Sequence, residues 1–364
     1  MIKQYGWLEA LTKAFAPHAR AGHVPGRVVA QHRDGYQVMT DEGELRAKAS
    51  GRLFHKAREA DHPAVGDWAA LSLNLVERTA TIHAILPRSS VFVRRAADSI
   101  QTLQVIAANI DVAFVVTSLN ADLNPRRIER YLAAAWQSGA RPVVVLTKSD
   151  LAEDSQEQAD AIAALAAGCP VLTVSARQGL GLDALLAHVA PGETCVLIGS
   201  SGVGKSTLVN ALLGEDRMAT REIREADDQG RHTTSHRQMV LLPGGGLLLD
   251  TPGIREVGLI EAEEGLGVVF DDIERLIETC KFNDCGHAGE PGCAVRAALD
   301  SGALDAGRWA NFQKLGAELA AVEAKAERLA KDAERRRLAG LQKAYRASKK
   351  DAKGGLDSAG RRRT

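Results

Sequence analysis

Gly199-Ser200-Ser201-Gly202-Val203-Gly204-Lys205-Ser206 matches the phosphate-loop pattern G-x-x-x-x-G-K-[ST] at every required position. An apolar run, Cys195 to Ile198, precedes it, and Thr207 to Leu212 reads as the opening of a helix. In that setting the backbone N–H groups of the loop can wrap phosphate oxygens, and a helix N-terminus adds the positive end of its dipole. The ammonium of Lys205 is then expected at the β- and γ-phosphates and the hydroxyl of Ser206 on Mg²⁺. A Gly/Ser-rich turn can match the pattern by accident, but it has no reason to carry a strand before it and a helix after it.

A phosphate loop does not choose a base. Thr147-Lys148-Ser149-Asp150 follows the apolar run Pro142 to Leu146 and resembles the guanine-reading motif Asn-Lys-x-Asp. Guanine presents N1–H and N2–H donors on one edge, and a carboxylate accepts both, whereas adenine offers no such pair. Asp150 is therefore the expected base-selecting group, with the stem of Lys148 over the ring. Thr147 stands where Asn is commoner and supplies a hydroxyl instead of an amide. Ser175-Ala176-Arg177 follows another apolar run and resembles the second guanine motif Ser-Ala-Lys.

Asp250-Thr251-Pro252-Gly253 has the spacing of a motif whose Asp assists Mg²⁺ and whose Gly N–H meets the γ-phosphate. Upstream, Gly230-Arg231-His232-Thr233-Thr234-Ser235 carries the hydroxyls of a loop that closes over Mg²⁺ and the γ-phosphate. Either Thr233 or Thr234 faces the metal, with Thr234 the first choice. Ile254 follows Gly253, where Ras-like proteins carry a water-orienting Gln. An aliphatic group cannot polarise water, so slow intrinsic hydrolysis is expected, and His232 is the candidate to orient the attacking water. The base-reading motifs precede the phosphate loop, the reverse of the ordinary order. The chain reads as a circular permutation, with the last switch feeding directly into the C-terminal segment.

Cys280, Cys285, His287 and Cys293 supply three thiolates and an imidazole within a short stretch, a complete tetrahedral set for one Zn²⁺. Four protein ligands leave no open position, so the expected role is structural. Cys169 and Cys195 lie in or beside apolar runs and read as core. An odd Cys count with this clustering favours a reduced chain over a disulfide framework.

The elements that must hold these groups fall into three regions. Residues 1–98 read as an N-terminal extension and an OB-fold β-barrel, with strands at Val24–Ala30, Tyr36–Thr40, Glu44–Lys48, Trp68–Leu73 and Thr79–Leu86. Residues 99–268 alternate strands with helices, the pattern of an α/β domain on a mainly parallel sheet carrying the permuted GTPase. Its expected helices are Arg126–Gln137, Gln156–Ala167 and Leu182–Val189. Residues 269–364 read as a helical zinc-binding region with a basic tail. Phe312, Leu315, Leu319, Val322, Ala326 and Leu329 recur at helical spacing, and the last dozen residues are expected to be disordered in isolation.

The 46 Lys and Arg balance the 46 Asp and Glu of the 364-residue chain. The balance hides segregation: residues 1–100 carry a net +4, residues 101–320 a net −12 and residues 321–364 a net +8. Basic ends around an acidic middle fit a polyanionic partner. With aromatics at 4%, the barrel is expected to use backbone and shape contacts through cations such as Arg27, Arg33, Lys48, Arg52, Lys56, Arg58, Arg94 and Arg95 rather than base stacking. Tyr36, Phe54, Trp68 and Phe92 read mostly as core. No apolar run approaches the ~18–20 residues of a membrane span, and no signal-peptide core is present.

A permuted GTPase between an OB-fold and a Cys/His segment resembles the RsgA/YjeQ family of ribosome small-subunit-dependent GTPases. The resemblance spans about residues 24–330 and rests most on Gly230 to Thr234, Asp250 to Gly253 and Cys280 to Cys293. It implies a monomeric bacterial cytoplasmic GTPase that binds GTP/GDP, Mg²⁺ and one structural Zn²⁺. It also implies binding to the small ribosomal subunit and its rRNA late in assembly, with hydrolysis stimulated by the subunit, and it points to His232 as well. The alternative is a non-ribosomal, GTP-dependent RNA-binding regulator. Thr147 and the long basic tail depart from the family pattern.

Overall fold

Short strands broken by Gly and Asp turns curl into a closed barrel at the N-terminal end. The computed structural model of the chain describes residues 1–32, 34–56, 62–96, 99–120, 123–214, 237–250 and 263–354. Helix α1 (Glu9–Arg20) leads into β1 (Val24–His32), β2 (Gly35–Thr40) and β3 (Gly43–Ala49). Helix α2 (Gly51–Lys56), β4 (Trp68–Asn74) and β5 (Thr79–Ile85) complete the barrel. The strand order is β1-β2-β3-β5-β4, and β4 pairs back onto β1. All five expected strands are present. Val28, Val38, Leu45, Leu71 and Ile82 fill the interior, and Trp68 and Phe92 are buried as expected.

Arg27 departs from its reading as a surface cation. It is 2% exposed and lies 5.3 Å from the Trp68 ring centroid. It donates to the carbonyls of Gly66 at 3.2 Å and Asn109 at 3.0 Å, to Tyr5 O, and to Thr194 Oγ1 at 2.8 Å. Burial pushes its pKa down to about 10, with Asp111 and Asp67 opposing, so the group stays charged at neutral pH. Arg33 and Arg58 lie outside the described residues.

The hairpin β6 (Val91–Ala96) and β7 (Ser99–Ala108) leads into the α/β region. Its elements are β8 (Val112–Ser118), α3 (Pro125–Ser138), β9 (Arg141–Thr147), α4 (Ser155–Leu165), β10 (Val171–Thr173), α5 (Leu182–Leu186), β11 (Thr194–Ile198), α6 (Lys205–Leu213), β12 (Arg237–Leu241) and β13 (Leu247–Asp250). The spatial order is β10-β9-β8-β11-β13-β12, parallel except for β12. Side chains alternate faces along each strand: Val112, Phe114 and Val116 join one apolar cluster, Ala113 and Val115 the other. Both faces are buried, which is why these strands read as unbroken apolar runs. The antiparallel β12 was not among the expected strands. It joins sheet to barrel, pairing Gln238 with Ala30 and Arg237 with Gln31. The expected limit at 98/99 falls between β6 and β7.

After the sheet come α7 (Glu263–Val269), α8 (Asp271–Glu278), α9 (Ala294–Ser301) and α10 (Ala306–Gly354). Gly265 of α7 meets α3 so closely that a Cβ there would lie 2.1 Å from the Ala133 carbonyl. Helix α10 extends well past the expected end of the amphipathic stripe at Leu329. Ala, Glu, Lys and Arg dominate that stretch and favour helix on their own. Of the last dozen residues, those from 355 on lie outside the described residues.

Arg308 of α10 clamps this end. Its guanidinium donates to Glu129 of α3, to Val269 O at 2.8 Å and to Asp272 at 2.8 and 3.0 Å, and sits 4.8 Å from the Phe270 ring centroid. Asn311 donates to the other Glu129 oxygen at 2.5 Å. The Glu129 side chain is only 3% exposed and that of Arg308 10%, so removing one partner leaves a charge inside without its counterpart. Glu129→Ala is expected to cost about 3 kcal/mol, read from the urea unfolding midpoint. A shift below about 1 kcal/mol would put the pair in the class of surface contacts.

Candidate functional site

The strands β8, β9, β10, β11 and β13 run parallel, so their C-terminal ends share one edge of the sheet. That edge is where open α/β sheets hold ligands. The phosphate loop leaves β11 there. Gly199 has φ +147°, and a Cβ at this position would lie 2.2 Å from the Val116 carbonyl, so only glycine lets the loop pass. Gly202 and Gly204 also have positive φ, and Gly204 caps α6. Lys205 opens α6 and curls back over the loop, donating to Gly199 O at 2.7 Å and to Ser200 O. Val203 is buried while Ser201 and Gly202 are exposed, and Ser206 and Thr207 sit half-buried in the first turn of α6. Asp250 ends β13, the parallel neighbour of β11.

The base-reading loops lock onto the phosphate loop. The buried hydroxyl of Thr147 lies 2.5 Å from Val203 O and 3.1 Å from Thr117 O, so it points at the phosphate loop and the end of β8. Lys148 adopts the left-handed conformation, φ 61°, and its ammonium donates to Gly202 O at 3.0 Å. Asp150 stands in a short 3₁₀ turn, where its Oδ1 accepts from the fully buried Ser175 hydroxyl at 2.6 Å. Ala176 packs on the apolar cluster beneath the edge. Thr147, Lys148, Asp150, Ser175, Ala176 and the loop 199–206 therefore converge, although up to 56 residues separate bonded partners among them.

Arg127 and Tyr131 were not singled out from the sequence. Arg127 Nη1 donates to Ser200 Oγ at 3.1 Å, and Tyr131 Oη lies 3.5 Å from the same oxygen. Both sit on α3, whose start is set by Asn124: its side chain accepts from the N–H groups of Arg126 at 3.1 Å and Arg127 at 3.3 Å, and Pro125 fits the first turn. A helix entering at the strand ends is the one signal that could have pointed to them. His232, Thr233, Thr234 and Gly253, with Thr251, Pro252 and Ile254, lie outside the described residues.

The Cys/His segment joins α8 to α9. The donor atoms of Cys280, Cys285, His287 and Cys293 all lie within 4.8 Å of one another. His287 Nδ1 is 3.6 Å from both Cys280 Sγ and Cys293 Sγ. Zinc bound by sulfur at ~2.3 Å and nitrogen at ~2.0–2.1 Å in tetrahedral geometry sets that S···N edge at about 3.6 Å. The donor set thus fits zinc in type, number and spacing. Cys293 caps α9, its sulfur accepting from Arg296 N–H at 3.3 Å. The Glu290 carboxylate gathers the N–H groups of Gly286, Ala288 and Gly289 at 2.9–3.0 Å. Backbone hydrogen bonds hold its pKa at about 2. Cys169 and Cys195 are buried in the core, and burial pushes the Cys169 thiol up to about 11 and that of Cys195 up as well.

Among known proteins, the RsgA GTPase family model matches residues 85–260. The protein named small ribosomal subunit biogenesis GTPase RsgA in Opitutus terrae is 43% identical over 356 residues, covering 95% of this chain and 97% of that one. Its namesake in Streptomyces coelicolor is 46% identical over 329 residues, covering 90% and 88%. Among solved structures, YjeQ from Thermotoga maritima superposes with a TM-score of 0.61 at 25% identity, over 82% of this chain and 98% of that one. YloQ, described as a circularly permuted GTPase, shares the fold with a TM-score of 0.59 over 82% and 95%.

Proposed function

The chain belongs to the RsgA GTPase family, and from that premise we propose that it is a GTP hydrolase acting in biogenesis of the small ribosomal subunit. The observation that carries the site reading is the bonding of the base-reading loops to the phosphate loop, Lys148 to Gly202 and Thr147 to Val203, with Asp150 held by Ser175. The reaction is GTP and water to GDP and phosphate. Asp150 accepts the guanine N1–H and N2–H, Lys148 covers the ring, and Ser175 and Ala176 close the base pocket. The backbone of residues 199–204 with Lys205 holds the phosphates, and Thr207 follows them into α6. Ser206, Thr234 and Asp250 are the groups that would hold Mg²⁺, which supplies charge neutralisation at the phosphates. Thr233 is the alternative metal-facing hydroxyl, the Gly253 N–H meets the γ-phosphate, and His232 orients the attacking water.

Cys280, Cys285, His287 and Cys293 would hold one structural Zn²⁺. The regions 1–98, 99–268 and 269–364 are proposed as barrel, GTPase and zinc-binding domains. No helix among the described residues is long and apolar enough to cross a membrane. The reading places a monomer in the cytoplasm, with small-subunit rRNA as its partner.

Single-turnover GTP hydrolysis with and without purified small ribosomal subunits tests this. Intact subunits are expected to accelerate hydrolysis, with ~10³–10⁵-fold the scale of a partner-completed site. Lys205→Ala should abolish the reaction and His232→Ala most of the acceleration. Equal acceleration by generic RNA, or none by subunits, would overturn the ribosomal reading. ATP competing equally with GTP would overturn the guanine reading.

A further inference from the structure

Among the described residues, helix α10 is anchored along its first turns. Leu315 and Leu319 are buried, and no described side chain beyond Leu319 is. The backbone nevertheless stays helical to Gly354, so about 50 Å of helix follows the last buried anchor. Its charges are sorted by face. At about 100° per residue, Lys325, Arg328, Lys331 and Arg335 fall on one side of the helix. The same helical spacing continues in the sequence at Lys343, Arg346, Lys350 and Lys353, with Arg336 and Lys349 at its edges.

Of the eleven Lys and Arg between 320 and 354, ten lie within one arc of about 140°, Arg337 being the exception. Of the five acidic residues in the same span, four lie outside that arc; Glu323, Glu327 and Glu334 share the opposite flank. The stripe runs about 42 Å.

We propose that this cationic stripe of α10, from Lys325 to Lys353, is an RNA-backbone binding surface separate from the barrel and from the nucleotide site. A line of cations on a straight rod matches a line of phosphates, and its affinity comes from counterion release. The opposite side argues against a lipid surface: a membrane-lying helix needs a broad apolar face there, and here the sequence sets five charged residues, Glu323, Glu327, Glu334, Arg337 and Asp351, among small residues and scattered Val322, Leu341 and Tyr345. Such contacts carry no sequence information, so the stripe would position the chain on RNA rather than choose the site. The proposal rests on the ribosomal reading for the identity of the RNA, but not for the chemistry.

The test replaces Lys343, Arg346, Lys350 and Lys353 together with Gln in the full chain, which preserves helix propensity. Affinity is measured for purified small ribosomal subunits and for an arbitrary RNA duplex of about 20 base pairs, from about 50 to 200 mM salt. The variant is expected to bind both at least roughly tenfold more weakly at low salt, with the slope of log affinity against log salt reduced by about 3. Hydrolysis without RNA should not change. Neutralising the other flank with Glu323→Gln, Glu327→Gln and Glu334→Gln should leave the slope as it was.

Unchanged slopes in the Lys/Arg variant overturn the proposal. So do equal and opposite changes in the two variants, which would mean bulk charge alone. Loss of binding to phosphatidylserine/phosphatidylcholine vesicles with RNA binding intact overturns it in favour of a membrane. If subunits fail to bind the unaltered chain while the duplex binds with a stripe-dependent slope, the ribosomal reading fails and the stripe stands. If subunits bind and stimulate both forms alike, and the duplex does not distinguish them, the stripe fails alone.

Discussion

Asp150→Asn is expected to weaken GTP binding by about 10²–10⁴-fold. Two hydrogen bonds to a charged carboxylate contribute about 1.5–3 kcal/mol each, and about 1.4 kcal/mol is a factor of ten. Where in that range the loss falls depends on which way the replacement amide turns, because the Ser175 hydroxyl can donate to its oxygen or accept from its NH2. The Ser175 hydroxyl, fully buried, donates to Oδ1 at 2.6 Å, and an Asn side chain keeps that bond only with its oxygen on the Ser175 side. Its NH2 group then faces the guanine N–H donors. The turn cannot swing aside, because Ser149 N–H is bonded to Val174 O at 3.2 Å. A purine nucleotide with a carbonyl in place of the 2-amino group would accept from that NH2, so xanthosine triphosphate is expected to recover much of the affinity. Displacement of a fluorescent guanine nucleotide measures both. GTP affinity within threefold of the unaltered chain would remove Asp150 from base selection.

What the sequence made legible was local. The phosphate loop, the five barrel strands and the parallel strands follow from spacing within a few residues of each other, where period and turn chemistry act. What it hid was set by distant partners. Thr147 reads as a departure from an Asn, yet its hydroxyl is directed at a carbonyl 56 residues on, so it ties the phosphate loop to β9 whatever it does for the base. Arg127 reads as one cation of a pair on a helix, and only the tertiary fold sets it against Ser200. Arg27 reads as a strand cation facing solvent. It is buried because four segments of chain aim acceptors at it, and no local pattern encodes that. Strand β12 is short, and its pairing with β1 is as non-local as any contact in the fold.

Helix α3 connects the phosphate loop to the C-terminal helix. One turn carries Arg127 and Tyr131 to the phosphate loop through Ser200. Interleaved positions carry Glu129 and Arg130 to Arg308, Asn311 and Glu318 of α10. The helix that bears the cationic stripe is thus bonded to the helix that backs the phosphates.

Removing zinc is expected to have the largest effect on structure. Structural zinc in small segments contributes about 10–16 kcal/mol of folding free energy at neutral pH. Residues 280–293 have few other ties: backbone bonds from Lys281 N–H to Gly292 O at 3.1 Å, Cys285 N–H to Phe282 O at 3.3 Å and Cys293 N–H to Glu290 O at 3.2 Å, the Glu290 gathering of three N–H groups, the packing of the cysteines on the core, and His287 edge-on to Trp309 at 5.6 Å. Without the metal, three thiols and an imidazole gathered within 4.8 Å of one another gain little from staying together. A chelator, or Cys285→Ser, should therefore open the segment, and hydrogen exchange over 280–293 should rise to the rate of unstructured chain. The effect should stay at this end, because Val203, Leu208 and Val209 beneath the phosphate loop belong to a different apolar cluster from Cys293. GTP affinity is accordingly expected to hold within a few-fold, since Arg308 and Asn311 keep the root of α10 on Glu129 of α3, while binding to the small subunit falls because an opened segment no longer fixes α9. The unaltered chain should carry one zinc per molecule. A metal-free chain equally protected over 280–293 would show that packing alone folds the segment and that the four side chains are not ligands.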